Sequence, residues 1–180
     1  MEAHQSVEPS SWVRRFVALI PPGGRTLDLA CGGGRHARLL AALGHEVDAV
    51  DRDAAALGAL ADVPRVTVCV ADLEGRAWPY PGCKFSGIVV ANYLHRPLLP
   101  RLLASLESDG VLIYETFMAG NERFGKPTNP AFLLRPDELL ELVRGELAVV
   151  AFEQGEIATP RAAVVQRICA VRGAARLLLG

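Results

Sequence analysis

The stretch Thr26-Leu27-Asp28-Leu29-Ala30-Cys31-Gly32-Gly33-Gly34-Arg35-His36-Ala37 decides the fold of this chain. An apolar run ends near an acid, three glycines follow, and a helical pattern begins after them, which predicts a strand, a tight turn and a helix N-terminus. Because glycine has no Cβ, the backbone of this turn can approach a ligand closely. The free N–H groups at the helix start favour an anionic group there. The sequence therefore predicts a ligand pocket at this turn.

The composition is that of one globular domain. The chain has 180 residues, of which 51% are hydrophobic and 22% charged, with a net charge of −1. These values argue against a disordered chain and against bulk nucleic-acid binding. The four cysteines form no CxxC pair, which favours buried free thiols over a metal site or disulfides. With no signal pattern and no apolar run long enough for a membrane, we expect a soluble, cytoplasmic protein.

Seven apolar runs, each bounded by glycine, proline or acidic residues, predict strands. The first five alternate with short helical patterns, which predicts βαβ units and a doubly wound, mostly parallel α/β sheet of the Rossmann-like class. The last two are expected to form a hairpin that adds an antiparallel C-terminal strand. The predicted strands are 25–30, 47–51, 66–70, 85–91, 111–116, 147–152 and 164–171.

Helical patterns lie between these runs, within one domain that spans 1–180. Ser10 or Ser11 is expected to cap a first helix, and Leu39, Leu40 and Leu43 to pack from the helix after the glycines, which Gly44 ends. Further helices are expected over 54–61, over 98–106 and from 136 onward. Residues 1–9 are predicted to be a loose arm, and the irregular segment 117–135, rich in Gly, Asn and Pro, a lid.

Polar residues follow the ends of the predicted strands, where open α/β sheets bind their ligands. Asp51 lies about twenty residues after the glycine turn, the spacing of a ribose-binding acid in dinucleotide folds. Asp72 can accept a hydrogen bond from an exocyclic amine, and Leu73 offers a backbone N–H beside it. The two acids together suggest an adenosine, although a helix cap at Asp51 and a turn residue at Asp72 are the structural alternatives.

Asp28 distinguishes between two adenosine-containing cofactors. Gly32, Gly34 and Ala37 fit G-x-G-x-x-A, so a nicotinamide dinucleotide must be considered. A carboxylate at Asp28 would repel a pyrophosphate, whereas it suits an ammonium group. S-adenosylmethionine has an ammonium, a sulfonium and one carboxylate, and its net positive charge fits a pocket with three acids.

Residues 28–34 resemble the first motif of the class I S-adenosylmethionine-dependent methyltransferases, E/D-x-G-x-G-x-G, with Ala30 in place of the first glycine. Val50-Asp51 is similar to the family's ribose-binding acid, and Ala71-Asp72-Leu73 to its adenine-binding motif. The resemblance extends over about residues 12–171, including the final hairpin. Within the family, three stretches are similar to the small tellurite-resistance-like branch. They are Gly34-Arg35-His36, Glu115-Thr116-Phe117 and the later Asn121-Glu122-Arg123-Phe124-Gly125.

The resemblance implies methyl transfer to a small-molecule nucleophile by in-line displacement, with S-adenosylmethionine as cofactor and no metal. Because the cofactor departs as a neutral thioether, catalysis can depend on positioning and desolvation. The expected cofactor-binding residues are Asp28, Ala30, Gly32, Gly33, Gly34, Arg35, Asp51, Arg52, Asp72, Leu73 and Asn92.

The acceptor side is less constrained by the sequence. His95 is considered as a base, Tyr93 as a substrate-facing group, and Glu115 either as a lining residue or as the ion-pair partner of Arg96 or Arg123. Trp78 and Tyr80 are expected to pack. Arg96, Asn121 and Arg123 are the remaining candidates for acceptor contact.

No proline pair follows Asn92, unlike in amino-methylating nucleic-acid enzymes, so we expect neither a nucleic-acid nor a membrane partner. We expect a monomer or a homodimer. Two alternative functions stay open at this point. They are an NAD(P)-dependent oxidoreductase with the same glycine turn, and a non-catalytic S-adenosylmethionine-binding module.

Overall fold

A computed structural model of the chain describes residues 8–75 and 77–173. Most of the predicted loose arm, residues 1–7, lies outside the described residues. The helices are α1 (Ser11–Phe16), α2 (Arg35–Ala42), α3 (Ala54–Gly58), α4 (Leu99–Ala104) and α5 (Glu138–Val143). The strands are β1 (Arg25–Leu29), β2 (Glu46–Asp51), β3 (Val66–Val70), β4 (Phe85–Ala91), β5 (Leu106–Phe117), β6 (Ala148–Ile157) and β7 (Ala163–Val171).

The seven strands form one sheet in the order β3-β2-β1-β4-β5-β7-β6. Strands β1 to β5 pair in parallel, and β7 lies antiparallel between β5 and β6. The predicted Rossmann-like α/β sheet with an antiparallel C-terminal strand is confirmed. Because the parallel strands end along one edge, this topology brings the polar residues after β1, β2, β4 and β5 to the same rim.

Alternate residues of the central strands enter two apolar cores, one on each face of the sheet. Val111 and Ile113 of β5 face the core that α1, α2 and α3 cover, and Leu112 and Tyr114 face the core under α4 and α5. Both faces of these parallel strands are therefore buried, which explains their continuous apolar runs. The second core also contains Trp78 and Tyr80, whose rings meet edge-on 5.5 Å apart, so their predicted packing role is confirmed.

Local signals explain the starts and ends of the helices. The Ser10 side chain accepts hydrogen bonds from the N–H groups of Trp12 and Val13, so Ser10 is the cap of α1. Gly44, with φ of +91°, follows the end of α2 as predicted. Leu43 does not pack, because 51% of it is exposed beyond the last turn of α2. The helix expected over 54–61 ends at Gly58.

Phe117 ends β5, and residues 118–135 are irregular apart from two short 3-10 turns, Asn121–Arg123 and Pro130–Phe132, and a bridge between Met118 and Leu134. This agrees with the irregular segment that the sequence predicts. All four cysteines are free thiols; Cys31 and Cys169 are buried, and Cys69 and Cys83 are half-buried. Among the residues that the structure describes, no helix has the length and apolar character needed to cross a bilayer.

Candidate functional site

The turn after β1 uses backbone conformations that most residues avoid. Ala30, Gly32 and Gly34 have φ values of +52°, +53° and +74°. Glycine adopts this region freely, whereas an alanine is strained there by about 1 kcal/mol. The N–H of Cys31 donates to the carbonyl of Val50 over 3.0 Å, which fixes the turn to the neighbouring strand. Ala30, which replaces the first glycine of the motif, therefore lies where the backbone requires a conformation that glycine adopts freely.

Gly34 has a packing role at this turn. A Cβ at this position would lie 2.3 to 2.7 Å from three side-chain carbons of Leu60. The residue is buried and does not line the cleft described below. Its lack of a side chain lets the start of α2 approach the α3 region, so its position favours close packing over the expected cofactor contact.

Asp28 lies near the end of β1, and only 1% of it is exposed. Its Oδ2 accepts a hydrogen bond of 2.8 Å from the N–H of Ala37 in the first turn of α2. Burial raises the pKa of Asp28 to about 7, although the Ala37 hydrogen bond and the nearby Arg35 charge act in the opposite direction. The site therefore contains a desolvated carboxyl group whose charged form lacks a full counter-charge.

Asp51 connects the glycine turn to the end of β2. Its Oδ2 accepts from the N–H of Gly32 at 2.8 Å, and its Oδ1 accepts from the N–H of Asp53 at 3.0 Å. Each carboxylate oxygen has a second lone pair. The side chain therefore holds the turn in place and can still accept hydrogen bonds from hydroxyl groups of a ligand.

A cleft of about 1580 Å³ opens at the rim where the parallel strands end. Its floor is formed by the glycine turn and by the ends of β2, β4 and β5. Its other walls come from the segment before and within α1 and from two loops, 126–132 and 157–163. Of the expected site residues, it is lined by Asp28, Ala30, Gly32, Gly33, Arg35, Asp51, Asn92 and Glu115.

Several expected cofactor and catalytic residues do not line this cleft. Asp72 is exposed, and its Oδ1 accepts from the N–H of Glu74, which is the turn geometry that the sequence left open as an alternative. The Tyr93 hydroxyl is buried and has no hydrogen-bond partner within the described part of the chain, and burial raises its pKa. The others that lie away from the lining are Arg52, Leu73 and His95.

The three residues expected to contact an acceptor instead make structural contacts. Arg96 donates to both carboxylate oxygens of Glu138, at 2.6 and 2.9 Å, and to two backbone carbonyls of the 131–133 segment. Asn121 is buried between two loops, and Arg123 pairs with Glu156 at 2.5 Å. None of the three lines the cleft. Their polar atoms bind the chain itself in this structure, and their contact with an acceptor stays a prediction.

Glu115 has a different partner from those expected. Its carboxylate lies 3.9 Å from the guanidinium of Arg167 on the adjacent strand β7, and neither Arg96 nor Arg123 pairs with it. The two side chains are 14% and 15% exposed. Arg167 also approaches Glu153 and lies 5.3 Å from the centroid of the Trp12 ring. No motif in the sequence marked Arg167, because its role depends on strand pairing between distant segments.

The N-terminal segment covers one side of the cleft. The N–H of Ser10 donates to Nε2 of the buried His36 over 3.2 Å, and Arg35 donates to the carbonyl of Glu8. Burial lowers the pKa of His36 to about 3, with the Arg35 charge contributing. The imidazole is therefore neutral at physiological pH, as its role as a hydrogen-bond acceptor requires. The Gly34-Arg35-His36 motif does not reveal this role of His36, because Ser10 lies 26 residues earlier in the sequence.

Comparisons with known proteins agree with this geometry. Residues 26–108 match the family described as "Methyltransferase domain". No curated protein matches the chain. The solved structure of TehB from Haemophilus influenzae is similar at a TM-score of 0.71 and 16% identity, covering 90% of this chain but 61% of the TehB chain. This chain thus spans less than two thirds of TehB.

Two further solved structures share the fold. A TehB-like S-adenosylmethionine-dependent methyltransferase from Corynebacterium glutamicum has a TM-score of 0.65 and 22% identity, covering 90% of this chain and 87% of its own. The 1,6-didemethyltoxoflavin-N1-methyltransferase of Burkholderia thailandensis, solved with its acceptor and S-adenosylhomocysteine, has a TM-score of 0.62 and 20% identity, covering 90% and 78%. Residues 26–108 thus match the methyltransferase-domain family, and the chain shares its fold with these solved structures.

Proposed function

We propose that this protein transfers a methyl group from S-adenosylmethionine to a small-molecule nucleophile. The observation that supports this most directly is the buried carboxyl of Asp28 at the glycine turn. Its raised pKa marks a carboxylate that an ammonium group would stabilise and a pyrophosphate would not. The nicotinamide-dependent alternative therefore has the weaker electrostatic support.

When bound, S-adenosylmethionine supplies a methyl group on a positively charged sulfur. Asp28 is suited to its ammonium, Asp51 to the ribose hydroxyls, and the N–H groups at the start of α2 with Arg35 to its carboxylate. Asp72 and Leu73 remain proposals for the adenine, and Arg52 and Asn92 for further cofactor contacts. Ala30, Gly32 and Gly33 would lie close to the cofactor, because they line the same cleft.

The chain need not supply an acid for the leaving thioether, so its main task is to position the acceptor and exclude water. Segment 117–135 is proposed as the lid that does so, since its residues 126–129 line the cleft beside Phe117 and Glu115. Glu115 is the polar group best placed to orient an acceptor. Catalytic roles for His95 and Tyr93 stay predictions, and so does membership of the tellurite-resistance-like branch.

Calorimetry separates the candidate functions. We expect S-adenosylmethionine and S-adenosylhomocysteine to bind and NAD to bind far more weakly. Asp51→Ala should weaken cofactor binding by about 1–3 kcal/mol, because ribose hydroxyls would lose a buried acceptor. The control is Asp62→Asn, an exposed acid outside the cleft lining, which should leave the affinity unchanged.

Tight binding of NAD without S-adenosylmethionine would refute the proposal. If the cofactor binds but a broad panel of oxygen, nitrogen and sulfur nucleophiles gives no methylated product, the non-catalytic binding module is the better account.

A further inference from the structure

The half of the cleft away from the glycine turn has an excess of positive charge. Lys126 and Arg161 line it from the loops 126–132 and 157–163, and both side chains are exposed. Among residues 8–75 and 77–173, no carboxylate lies within ion-pair distance of either group. Within the described part of the chain, two cations without a paired carboxylate therefore line the cleft.

The acids that line the cleft do not neutralise these two cations. Asp28 and Asp51 belong to the glycine turn, where they accept backbone hydrogen bonds. Glu115 is matched by Arg167, and Glu8 by Arg14. The part of the cleft lined by the loops 126–132 and 157–163, here called the acceptor half, thus has a local positive charge that an anionic ligand can complement.

One buried side chain holds the two cationic loops together. The Oδ1 of Asn121 accepts from the N–H of Val164 at 3.1 Å, and its Nδ2 donates to the carbonyl of Pro127 at 3.4 Å. Pro127 directly follows Lys126, and Val164 lies three residues after Arg161. Because Asn121 is 2% exposed, this connection is shielded from water and fixes the loops relative to each other. The ion pair of Arg123 with Glu156 connects the residues that precede these two loops.

Apolar rings lie beside the cations. The Arg161 guanidinium is 5.6 Å from the centroid of Phe117, a cleft residue at the end of β5. Phe132, also a cleft residue, is 43% exposed, so its ring offers apolar surface to a ligand in the cleft. The acceptor half therefore combines two cations with two aromatic surfaces.

We propose that the methyl acceptor is a small planar molecule with an anionic oxygen group, such as a carboxylate, which Lys126 and Arg161 bind. Its ring would lie against Phe117 and Phe132, and its nucleophilic atom would point toward the cofactor half. This inference rests on the proposed function, because it assigns the acceptor of that same site. Arginine and lysine bind carboxylates through charge-assisted hydrogen bonds, which a neutral amide cannot replace.

The matched probes are 4-mercaptobenzoate and 4-mercaptobenzamide, which share the ring and the sulfur and differ in charge. Methyl transfer to either thiolate forms a sulfur–carbon bond while the bond from the methyl carbon to the cofactor sulfur breaks, and the thiol proton is already in solvent. We measure binding of each probe to the protein by calorimetry, with and without S-adenosylhomocysteine, and then kcat and KM for methylation.

We expect the carboxylate to bind about tenfold or more tightly than the amide, with the difference in KM rather than in kcat. Arg161→Gln and Lys126→Gln should each reduce this preference without altering S-adenosylhomocysteine affinity. The control is Arg101→Gln, an exposed arginine of α4 outside the cleft, which should change nothing.

Equal binding of the two probes, binding of neither, or a preference that survives both substitutions would overturn the proposal. Failure of the proposed function has a different signature. It would appear as loss of S-adenosylhomocysteine binding, and the titrations without that ligand would still decide the charge preference.

Discussion

The affinity for the cofactor should depend on pH through Asp28, and the pKa of this buried carboxyl sets the size of that dependence. Burial raises the pKa of Asp28 to about 7 in the ligand-free protein. If the cofactor ammonium binds the ionised form, affinity follows the ionised fraction, which rises about eightfold between about pH 5.5 and about pH 6.5. The free α-amino group stays protonated over this range, because its ordinary pKa is about 7.7 to 8.0. His36, with its pKa lowered to about 3, stays neutral and does not contribute.

Calorimetry in two buffers of different ionisation enthalpy measures the proton that Asp28 loses. At about pH 6 we expect release of about 0.9 proton per S-adenosylmethionine bound, since about nine tenths of the free carboxyl is protonated there. Asp28→Asn keeps an oxygen that can accept from the Ala37 N–H but cannot ionise. It should bind the cofactor weakly and with no proton release assigned to this site.

The same variant should gain stability, which separates binding from a structural defect. The folded pKa of Asp28 lies above its ordinary value of 3.8, so the native state binds more protons than the unfolded chain between about pH 4 and about pH 7. The native protein therefore loses stability as pH rises through this window. At about pH 7.5 we expect Asp28→Asn to raise the free energy of unfolding by at least about 1 kcal/mol, which raises Tm by about 2–4 °C. Zero proton release on cofactor binding to the unmodified protein, or the same pH slope of stability in the variant, would refute the reasoning.

Two further predictions concern the supports of the site. Gly34→Ala should lower the free energy of unfolding by about 2–3 kcal/mol, because its Cβ would meet Leu60 at 2.3 Å. The control is Gly44→Ala, which has a similar positive φ but open space around it, and it should lower the free energy of unfolding by about 1 kcal/mol. Equal losses in urea melts would show that Leu60 is not the obstacle. His36 has a folded pKa below its ordinary 6.5, so its contribution to stability is present above about pH 6.5 and is lost as pH falls toward about 3. His36→Gln, which can still accept from Ser10, should flatten that slope, and an unchanged slope would assign it to other groups.

The sheet could be predicted from the sequence because strands that are buried on both faces are recognised by their apolar residues. Strands β1, β2 and β4 are buried along almost their whole length, and the glycine turn follows β1 where the backbone takes a positive φ. Asp28 and Asp51 could be found for the same reason, since their positions relative to strand ends follow from the topology. The predicted packing of Leu43 is wrong, because the burial of a residue near a helix end depends on how far the helix extends over its neighbours.

The acceptor side could not be predicted in the same way. Arg96 meets Glu138 across 42 residues of sequence, and Asn121 meets Val164 across 43. These partners are chosen by loop packing, which has no periodicity that a sequence pattern could reveal. The position of Arg167 likewise depends on the pairing of β7 with β5, where it faces Glu115.

The position of β7 between β5 and β6 has a consequence for synthesis on the ribosome. Trp12 is 2% exposed, and its indole N–H donates to the carbonyl of Ile168, 156 residues later in the chain. The packing surface of the first helix is therefore complete only when residues 163–171 have emerged and β7 has entered the sheet. Until then its apolar face is available to chaperones, and the wall that it gives the cleft is absent. Assembly of this wall of the cleft is in this way coupled to the pairing of β7 with β5.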